Sequence, residues 1–220
     1  MYLIDGDVIA YSCAAGAEGG DASEVDELIF TKLESFDDQG EVEVFLTGKG
    51  NFKLSLYEKY KANRKGRPKP EHLGYAREFL IKNYEAVVSE GCEADDLIAI
   101  RATMVPDCTI VSTDKDFRQI AGRYHNLYHN TTEVISQEEA DKFFYTQILT
   151  GDTADNVPGL WRCGPVKAKK ILANAVTPEE LWSAVVSAYE DKDDTKDNAI
   201  LMGRLLWLQR KEGEVWKPPV

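Results

Sequence analysis

The chain has 220 residues, 43% of them hydrophobic, and a formal net charge of −12 at pH 7. That length suffices for one sizeable hydrophobic core with a small appended module. No apolar run of about 18 residues occurs, so we expect no membrane-spanning helix. The amino-terminal stretch lacks a basic region and carries Asp5 and Asp7 among its apolar residues, so we expect no secretory signal.

The cysteines and the charges narrow the possible functions. Four scattered cysteines without a CxxC pair, and only three histidines, argue against a zinc site and indicate a reducing cytoplasm. Net acidity alone argues against nucleic-acid binding, because phosphate contacts dominate such affinity. However, residues 59–69 hold six basic residues and no acidic one. This segregation predicts one basic working face and one acidic site.

In chain order, strands and helices alternate over the first two thirds of the sequence. We predict buried strands at 2–4, 42–46, 86–88 and 108–111. We predict helices at 23–33, 71–84, 93–104 and 137–149, with a further short helix after Asp116. The basic residues 48–70 contain glycine and proline, which predicts an exposed, mobile segment. The alternation favours an α/β fold with a mostly parallel central sheet flanked by helices.

Beyond Gly151 the pattern changes to turns and short helices. Residues 152–159 are rich in turn formers, and 177–180 have the spacing of a capping box. A polar linker at 191–197 precedes an apolar helix at 200–208. We therefore predict a core at 1–150, with a basic arch segment at about 48–80, and a separate helical region at 151–220.

Acidic residues follow the predicted strands and one predicted helix. The clusters are Asp5; Glu93, Asp95 and Asp96; Asp114 and Asp116; and Asp152 with Asp155. Ligands collect at the carboxyl ends of parallel strands, so we expect these clusters on one edge of the sheet. One cluster alone is typical of a solvated helix start. Four clusters on one edge, without His or Cys, favour Mg²⁺ or Mn²⁺, and two such ions support in-line phosphoryl displacement.

Four motifs in this order, LIDGD, GCEADDLIA, STDKDF and GDTADNVPG, resemble the 5′ nuclease family. That family includes flap endonucleases, the 5′-exonuclease domain of bacterial DNA polymerase I, and phage 5′–3′ exonucleases, whose spacing is the most similar. The resemblance covers roughly residues 1–175. It implies a PIN-like nuclease core followed by a helix–hairpin–helix, or helix–three-turn–helix, module.

The resemblance maps all eight clustered carboxylates, but not Asp7, onto metal ligands. It implies Mg²⁺ or Mn²⁺ as cofactor, with two ions, and K⁺ at the helix–hairpin–helix turn. The family usually places another carboxylate shortly after the second strand, and here Thr47 and Gly48 stand instead. We expect this departure to weaken one metal site.

The basic segment resembles the Tyr-Lys-x-Asn-Arg stretch of the family's helical arch. The resemblance assigns catalytic contacts with the scissile phosphate to Lys61 and Arg64, and base stacking to Tyr60. Such cations suit phosphoryl transfer, since charge develops on the phosphate oxygens. We expect Lys65 and Arg67 to attract DNA phosphates generally.

The helix–hairpin–helix resemblance rests on the turn from Val157 to Ile171. Gly159 and Gly164 match its glycines, and Lys167 and Lys169 lie where the family contacts phosphates. Arg162 stands where a glycine is common. We expect Trp161 to pack within the turn.

Three other interpretations remain open. Asp5 and Asp7 after an apolar strand also fit a haloacid-dehalogenase-type phosphatase, although its last motif should follow a strand and here a helix is predicted before Asp152. A PIN-type RNase would use a similar acidic edge without the arch or the hairpin. A non-catalytic DNA-binding module with a decayed site is the third.

The resemblance implies a divalent-metal-dependent 5′–3′ exonuclease with flap endonuclease activity, which leaves 5′-phosphates. The implied partners are DNA with free 5′ ends, flaps or nicks, and replication proteins. We expect a monomer in the cytoplasm, or in the host cytoplasm if a bacteriophage encodes it.

Overall fold

The computed structural model describes residues 1–219; Val220, the last residue of the predicted helical region, lies outside the described residues. The chain forms two compact units. The first comprises residues 1–51, 66–117 and 122–134. The second comprises residues 52–65, 118–121 and the chain from 135 onward. Each unit is therefore built from separate stretches of sequence.

The first unit is organised by a six-stranded sheet in the order β3-β2-β1-β4-β5-β6. The strands are β1 Tyr2–Asp5, β2 Val42–Lys49, β3 Val87–Glu90, β4 Thr109–Ser112, β5 Gly122–Asn126 and β6 Thr131–Ile135. The pairs β1–β2, β1–β4, β2–β3 and β4–β5 are all parallel. This confirms the predicted α/β fold with a mostly parallel sheet. The strands β5 and β6 were not predicted.

Helices complete both units. They are α1 Gly6–Gly16, α2 Ala22–Asp37, α3 Lys53–Leu56, α4 Leu73–Asn83, α5 Ala94–Met104, α6 Gln137–Thr150, α7 Pro165–Ile171, α8 Pro178–Glu190 and α9 Lys196–Leu206. Short 3₁₀ helices span Ala62–Arg64 and Lys115–Gln119. The second of these confirms the short helix expected after Asp116. Among residues 1–219, we find no helix with both the length and the apolar character needed to cross a membrane.

Helix starts follow side-chain capping chemistry. Asp21 rather than Ser23 caps α2, so that helix begins earlier than predicted. Thr177 and Glu180 form the predicted capping box of α8. The helix α1 was not predicted, and it begins directly after β1 because the Asp5 side chain accepts a hydrogen bond from the Val8 amide. The first strand and first helix are thus joined at a carboxylate.

Each unit has its own hydrophobic core. In the first, fully buried aliphatic side chains of α1, α2, α4 and the central strands pack together, among them Ile4, Ile9, Ile29, Leu33 and Leu80. Burial of such a side chain stabilises the fold by about 1.5–3 kcal/mol. The core of the second unit is richer in aromatic rings: Phe144, Tyr145, Trp182 and Trp216 pack edge to face in it.

The segment predicted to be exposed and mobile contains ordered structure. It includes the end of β2, α3 and the 3₁₀ helix Ala62–Arg64. Lys53 and Tyr60 are each only 2% exposed. The expectation of an entirely exposed segment was therefore wrong, because aromatic and aliphatic side chains of this stretch join the core of the second unit.

Candidate active site

Four parallel strands of the first unit end at a common edge of the sheet. Their order is β3-β2-β1-β4, and Asp5 at the end of β1 pairs in register with Phe45 of β2. The chain crosses from one side of β1 to the other between β3 and β4, which makes this edge the point where parallel sheets commonly bind ligands. Six of the predicted site carboxylates follow these strand ends: Asp5, Glu93, Asp95, Asp96, Asp114 and Asp116.

Asp5 is the most deeply placed of these acids. It is 3% exposed, and its carboxylate accepts hydrogen bonds from the Val8 amide at 3.1 Å and the Ser112 hydroxyl at 2.6 Å. Burial raises the pKa of Asp5 from 3.8 to about 6. The two hydrogen bonds oppose this rise in pKa, while the charges of Asp7 and Asp114 contribute to it. The charged groups that act on Asp5, Asp7 and Asp114, are thus both acids.

Ser112 links the first acid to the next cluster. Its hydroxyl donates to Asp5 and accepts from the Asp114 amide at 2.9 Å. Asp114 in turn accepts from the Asp116 amide at 2.9 Å. Asp116 forms an ion pair with Lys115 at 3.4 Å, in which the lysine side chain is 60% exposed. A fully buried serine therefore fixes the spacing between the carboxylates that follow β1 and β4.

The third cluster opens α5. Glu93 is its N-cap, and the Glu93 amide donates to the Asp96 carboxylate at 3.2 Å. Glu93 is 7% exposed, Asp96 is 0% exposed, and Asp95 is half-buried. Burying carboxylates in the first turn is tolerated partly because helix amides and the helix dipole favour negative charge there. Ile98 and Ala99 anchor the same helix in the protein interior.

The chemistry of these acids fits a hard divalent cation. All donors are oxygens, and Mg²⁺ and Mn²⁺ prefer oxygen ligands. Over residues 1–219, no three acidic, histidine or cysteine side chains are grouped closely enough in this structure to hold a metal ion. Several carboxylates instead bond protein donors, as Asp5 does with Ser112. A carboxylate that accepts such a hydrogen bond keeps further lone pairs with which it can coordinate an ion.

Arg77 and Asp7 form a network at this edge that the sequence did not reveal. Arg77, on α4, pairs with the Asp7 carboxylate of α1 and donates to the Thr47 carbonyl oxygen at 2.5 Å. Asp7 also accepts from the Thr47 amide at 2.9 Å. The Thr47 hydroxyl oxygen accepts from the Ala94 amide at 3.0 Å. The network thus connects β2 with the start of α5, next to Glu93.

The neighbouring Gly48 explains why no carboxylate follows Thr47. A Cβ atom at Gly48 would lie 1.9 Å from the Ser89 carbonyl oxygen of β3. The Gly48 amide donates a hydrogen bond to the Ser89 hydroxyl oxygen at 3.0 Å, which also holds the two strands close together. Since the obstacle is backbone, any side chain here would displace a strand.

In the second unit, residues 59–64 of the basic segment lie against the acidic turn after α6. Asp155 pairs with Arg64 at 2.5 Å and with Lys61 at 3.5 Å. Asp152, 6% exposed, accepts from the amides of Ala154 at 2.7 Å and Asp155 at 3.3 Å, which closes the turn. The predicted catalytic cations and the last predicted acidic cluster are therefore in direct contact.

Tyr60 occupies a different position from the one expected of a stacking residue. Its ring lies in the core of the second unit, and its hydroxyl donates to Asp155 at 2.9 Å. The ring is 2% exposed, so it presents no face on which a base could stack in this structure. Lys65 and Arg67 are exposed, as a general attraction for phosphates requires.

The predicted hairpin region begins with a tight glycine contact. Gly151 and Gly159 both have positive φ, and a Cβ at Gly159 would lie 2.2 Å from the Gly151 amide nitrogen. Gly164 is the N-cap of α7, on which Lys169 is exposed and Lys167 is half-buried.

Trp161 does not pack within this turn as expected. It is 65% exposed, and the Arg162 guanidinium lies 4.2 Å from the centroid of its ring. Arg162 itself has a φ of 54°, the left-handed conformation that suits the glycine common at this position.

Comparison with known proteins shows the family to which the chain belongs. A family model described as the 5′–3′ exonuclease, N-terminal resolvase-like domain, matches residues 1–145. The chain is 35% identical over 137 residues to DNA polymerase I of Rhizobium leguminosarum, covering 55% of this chain but 14% of that protein. It is 30% identical over 172 residues to flap endonuclease Xni of Shewanella piezotolerans, covering 70% of this chain and 67% of that protein.

Solved structures are similar in fold. The flap endonuclease D15 of bacteriophage T5, in a pseudo-enzyme–product complex with DNA and metal ions, has a TM-score of 0.72 and 17% identity. The match covers 95% of this chain and 88% of that one. The catalytic core of Rad2 in complex with DNA substrate has a TM-score of 0.55 at 15% identity, covering 87% and 64% of the two chains.

Proposed function

Because this chain belongs to the 5′–3′ exonuclease family, we propose that it is a divalent-metal-dependent nuclease that degrades DNA from 5′ ends and cuts 5′ flaps. Hydrolysis leaves 5′-phosphates on the products. The observation that carries the proposal is the buried Asp5 carboxylate, linked through Ser112 to Asp114 at the ligand-binding edge of the sheet. The two carboxylates concentrate negative charge at the place where the proposed reaction needs a divalent cation.

The carboxylates of the first unit are the proposed metal ligands. Asp5, Glu93, Asp96 and Asp114 would hold the ions, with Asp95 and Asp116 completing the acidic set. Two divalent cations held by these residues would stabilise the negative charge of the phosphate and would lower the pKa of a nearby water. The chain's contribution is to fix the oxygens: Ser112 spaces two of them, and the start of α5 positions two more.

Asp152 and Asp155 of the second unit are also proposed to bind a divalent cation. Asp152 is fixed by two turn amides. Asp155 makes ion pairs with protein cations in this structure, so a metal at Asp155 must compete with Lys61 and Arg64. The turn that starts at Gly159 is proposed to bind K⁺ through its carbonyl groups.

Lys61 and Arg64 are the proposed contacts to the scissile phosphate. A guanidinium and an ammonium provide donors to phosphate oxygens, and the charge on these oxygens increases as the phosphodiester reacts. Lys65, Arg67, Lys167 and Lys169 are proposed to bind the DNA backbone without reading sequence. Tyr60 is proposed to stack on a base only after leaving its present site, since its ring is buried here.

The proposal is tested by mapping products from labelled DNA. A 5′-flap duplex, a blunt duplex and single-stranded RNA of the same sequence are each incubated with Mg²⁺, with Mn²⁺ and with EDTA. We expect short products from the DNA 5′ end, cleavage near the flap junction, no reaction in EDTA, and slower cleavage of RNA. Cleavage of RNA alone would support a PIN-type RNase instead. No cleavage of any DNA with either ion would contradict the proposal and favour a DNA-binding module.

The phosphatase alternative is less well supported by the chain's own structure. Its last acidic motif should follow a strand, whereas α6, Gln137–Thr150, directly precedes Asp152. Release of inorganic phosphate from p-nitrophenyl phosphate, blocked by beryllium fluoride, would revive it.

A further inference from the structure

The acidic turn of the second unit holds the basic segment through backbone as well as side-chain contacts. Hydrogen bonds join residues 59–64 to residues 153–156, in addition to those of the Asp155 side chain. They run from the Lys61 amide to the Asp155 carbonyl oxygen at 2.8 Å, from Asn63 to the Thr153 carbonyl oxygen at 2.7 Å, from Arg64 Nε to the Ala154 carbonyl oxygen at 3.2 Å, and from Asn156 to the Lys59 carbonyl oxygen at 2.7 Å. The two segments therefore dock along their length.

The Asp155 carboxylate is the centre of this contact. Oδ1 accepts from Arg64 Nη2 at 2.5 Å. Oδ2 accepts from the Tyr60 hydroxyl at 2.9 Å and lies 3.5 Å from Lys61 Nζ. The Asp155 side chain is only 13% exposed. Two cations and a hydroxyl thus converge on one anionic group that is largely shielded from water.

The same donors are suited to a phosphate. Carboxylate and phosphate both present closely spaced oxygens that accept from a guanidinium, and an added ammonium binds either as a point charge. On the proposed function, Lys61 and Arg64 bind the scissile phosphate. Their present ligand, Asp155, offers the same kind of oxygen acceptor.

We infer that Asp155 is a positioning residue that occupies, in the free protein, the place which a DNA phosphate takes on Lys61 and Arg64. The inference rests on the proposed function. Binding of DNA is then an exchange of one anion for another on the same two cations. A divalent cation bound by Asp155 would favour this exchange, because it weakens the hold of the carboxylate on both side chains.

The backbone supports the same interpretation. Lys61 has a φ of 53°, a left-handed conformation that is uncommon for a residue with a side chain. Its amide is bonded to the Asp155 carbonyl oxygen, so the turn that carries the carboxylate also holds this conformation. Observed backbone strain of this kind is often retained where a residue must be pre-positioned.

The test is a double-mutant cycle on DNA affinity in EDTA, where no cleavage is expected. Affinity for a 5′-flap duplex is measured at fixed salt for wild type, Asp155→Asn, Lys61→Ala/Arg64→Ala and the combined variant. Asp155→Asn should bind about three- to tenfold more tightly than wild type, the range expected when a partly shielded ion pair no longer competes. In the Lys61→Ala/Arg64→Ala background, Asp155→Asn should increase DNA affinity no more than the loss of any one exposed negative charge does.

Asp191→Asn measures the effect on DNA affinity of losing one exposed negative charge. Asp191 is exposed at the end of α8, and its replacement changes the net charge by the same amount. Thermal melting checks that each variant folds, and the rate of trypsin cleavage after Lys61, Arg64 and Lys65 in EDTA reports on the docked segment. Cleavage should be faster in Asp155→Asn than in Asp191→Asn.

Two results would overturn the inference. One is a gain in DNA affinity for Asp155→Asn that is no larger than the gain for Asp191→Asn. A gain that remains complete in the Lys61→Ala/Arg64→Ala background would have the same meaning. The other is unchanged or weaker DNA binding together with unchanged trypsin cleavage, which would make the contact purely structural. If wild type binds no DNA at all, it is the proposed function that fails, so the two failures are distinguishable.

Discussion

Asp5 of the first unit and Asp155 of the second are both shielded acids, but their surroundings are opposite. Asp5 is buried near Asp7 and Asp114, and its pKa is raised to about 6. Asp155 lies between Lys61 and Arg64. The first carboxylate has a charge that burial and neighbouring acids disfavour, while the second already has cationic partners. On the proposed function, the Asp5 site gains its counter-charge from metal ions. On the further inference, Asp155 releases its cations to a phosphate.

Removing an acid from the first unit is expected to have the largest effect on turnover. Asp114→Ala should reduce turnover by at least about 10³-fold, since it removes a proposed ligand whose charge acts on the phosphate. Gel-based cleavage of a flap duplex with Mg²⁺ measures it, and Asp38→Ala, an exposed acid at the end of α2, is the control. DNA affinity in EDTA should change little. Retained turnover would remove Asp114 from the metal set.

Asp5→Asn should separate stability from activity. Because folding raises the pKa of Asp5, its ionised form destabilises the fold. This destabilisation is absent below pH 3.8, where Asp5 is protonated in both states, and it grows as the pH rises to about 6. The shift corresponds to about 3 kcal/mol at neutral pH, less whatever the altered hydrogen bonds cost. In EDTA, Asp5→Asn should therefore melt higher than wild type at pH 7.5 and similarly near pH 3.8.

Mg²⁺ sharpens the same measurement. It should raise the melting temperature of wild type at pH 7.5 more than that of Asp5→Asn, because a ligand that binds only the folded state stabilises it. Turnover by Asp5→Asn should be nearly absent. A variant that melts lower than wild type at every pH would show that the Asp5 hydrogen bonds outweigh its buried charge.

Arg77→Met tests the arginine that pairs with Asp7 at the carboxylate edge. It removes the Arg77 donors to Asp7 and to the Thr47 carbonyl oxygen, while the Thr47 amide still donates to Asp7. The start of α5, which bonds Thr47 through the Ala94 amide, should therefore lose part of its support. We expect about a tenfold fall in kcat with little change in KM, because Arg77 is proposed to position ligands and not to bind DNA.

The matched control for Arg77 is Arg101→Met. Arg101 bonds Glu43 through two nitrogens, with a side-chain exposure of 34% against 29% for Arg77. Its loss should affect stability without the fall in kcat. Arg77→Lys should recover part of the activity. Equal losses of kcat in Arg77→Met and Arg101→Met would mean that Arg77 has only a general structural role.

Tyr60→Phe is expected to have the smallest effect. It removes one hydrogen bond to Asp155 and leaves the ring in the core, so the free energy of unfolding should fall by about 1 kcal/mol. Chemical denaturation measures it. On the further inference, DNA affinity in EDTA should rise slightly, because Asp155 loses a partner that holds it in place. A large fall in turnover would instead point to a direct role of the hydroxyl.

Sequence reasoning found the carboxylate edge because strand ends and acids can be read locally. The end of β1 at Asp5 and the acidic start of α5 needed only hydrophobic periodicity and the rule for parallel sheets. Arg77 could not be found in this way. Its partners are 70 and 30 residues away, on α1 and β2, so only the tertiary packing of α4 brings them together. Asp7 was set aside because the resemblance offered no metal role for it.

The errors came from segments whose local pattern is ambiguous. The strands β5 and β6 contain mostly polar residues, and each of them has only one buried position. Tyr60 stands within a run of lysines and arginines, which predicts exposure, yet it contacts the core through its ring. Its burial depends on side chains of α6 and of the helices after it, which are distant in sequence and so leave no signal in the local pattern.

The lack of space at Gly48 limits how the proposed metal site can be altered. Replacement by aspartate would place a side chain into the backbone of the adjacent strand, so the family's usual carboxylate cannot return there by one substitution. Laboratory selection for tighter Mg²⁺ binding should therefore recover changes at Thr47, where a side chain already fits, and should recover Gly48→Asp only with changes that move β3. The spacing of two strands, as much as the identity of the acids, determines which mutational routes are open to this active site.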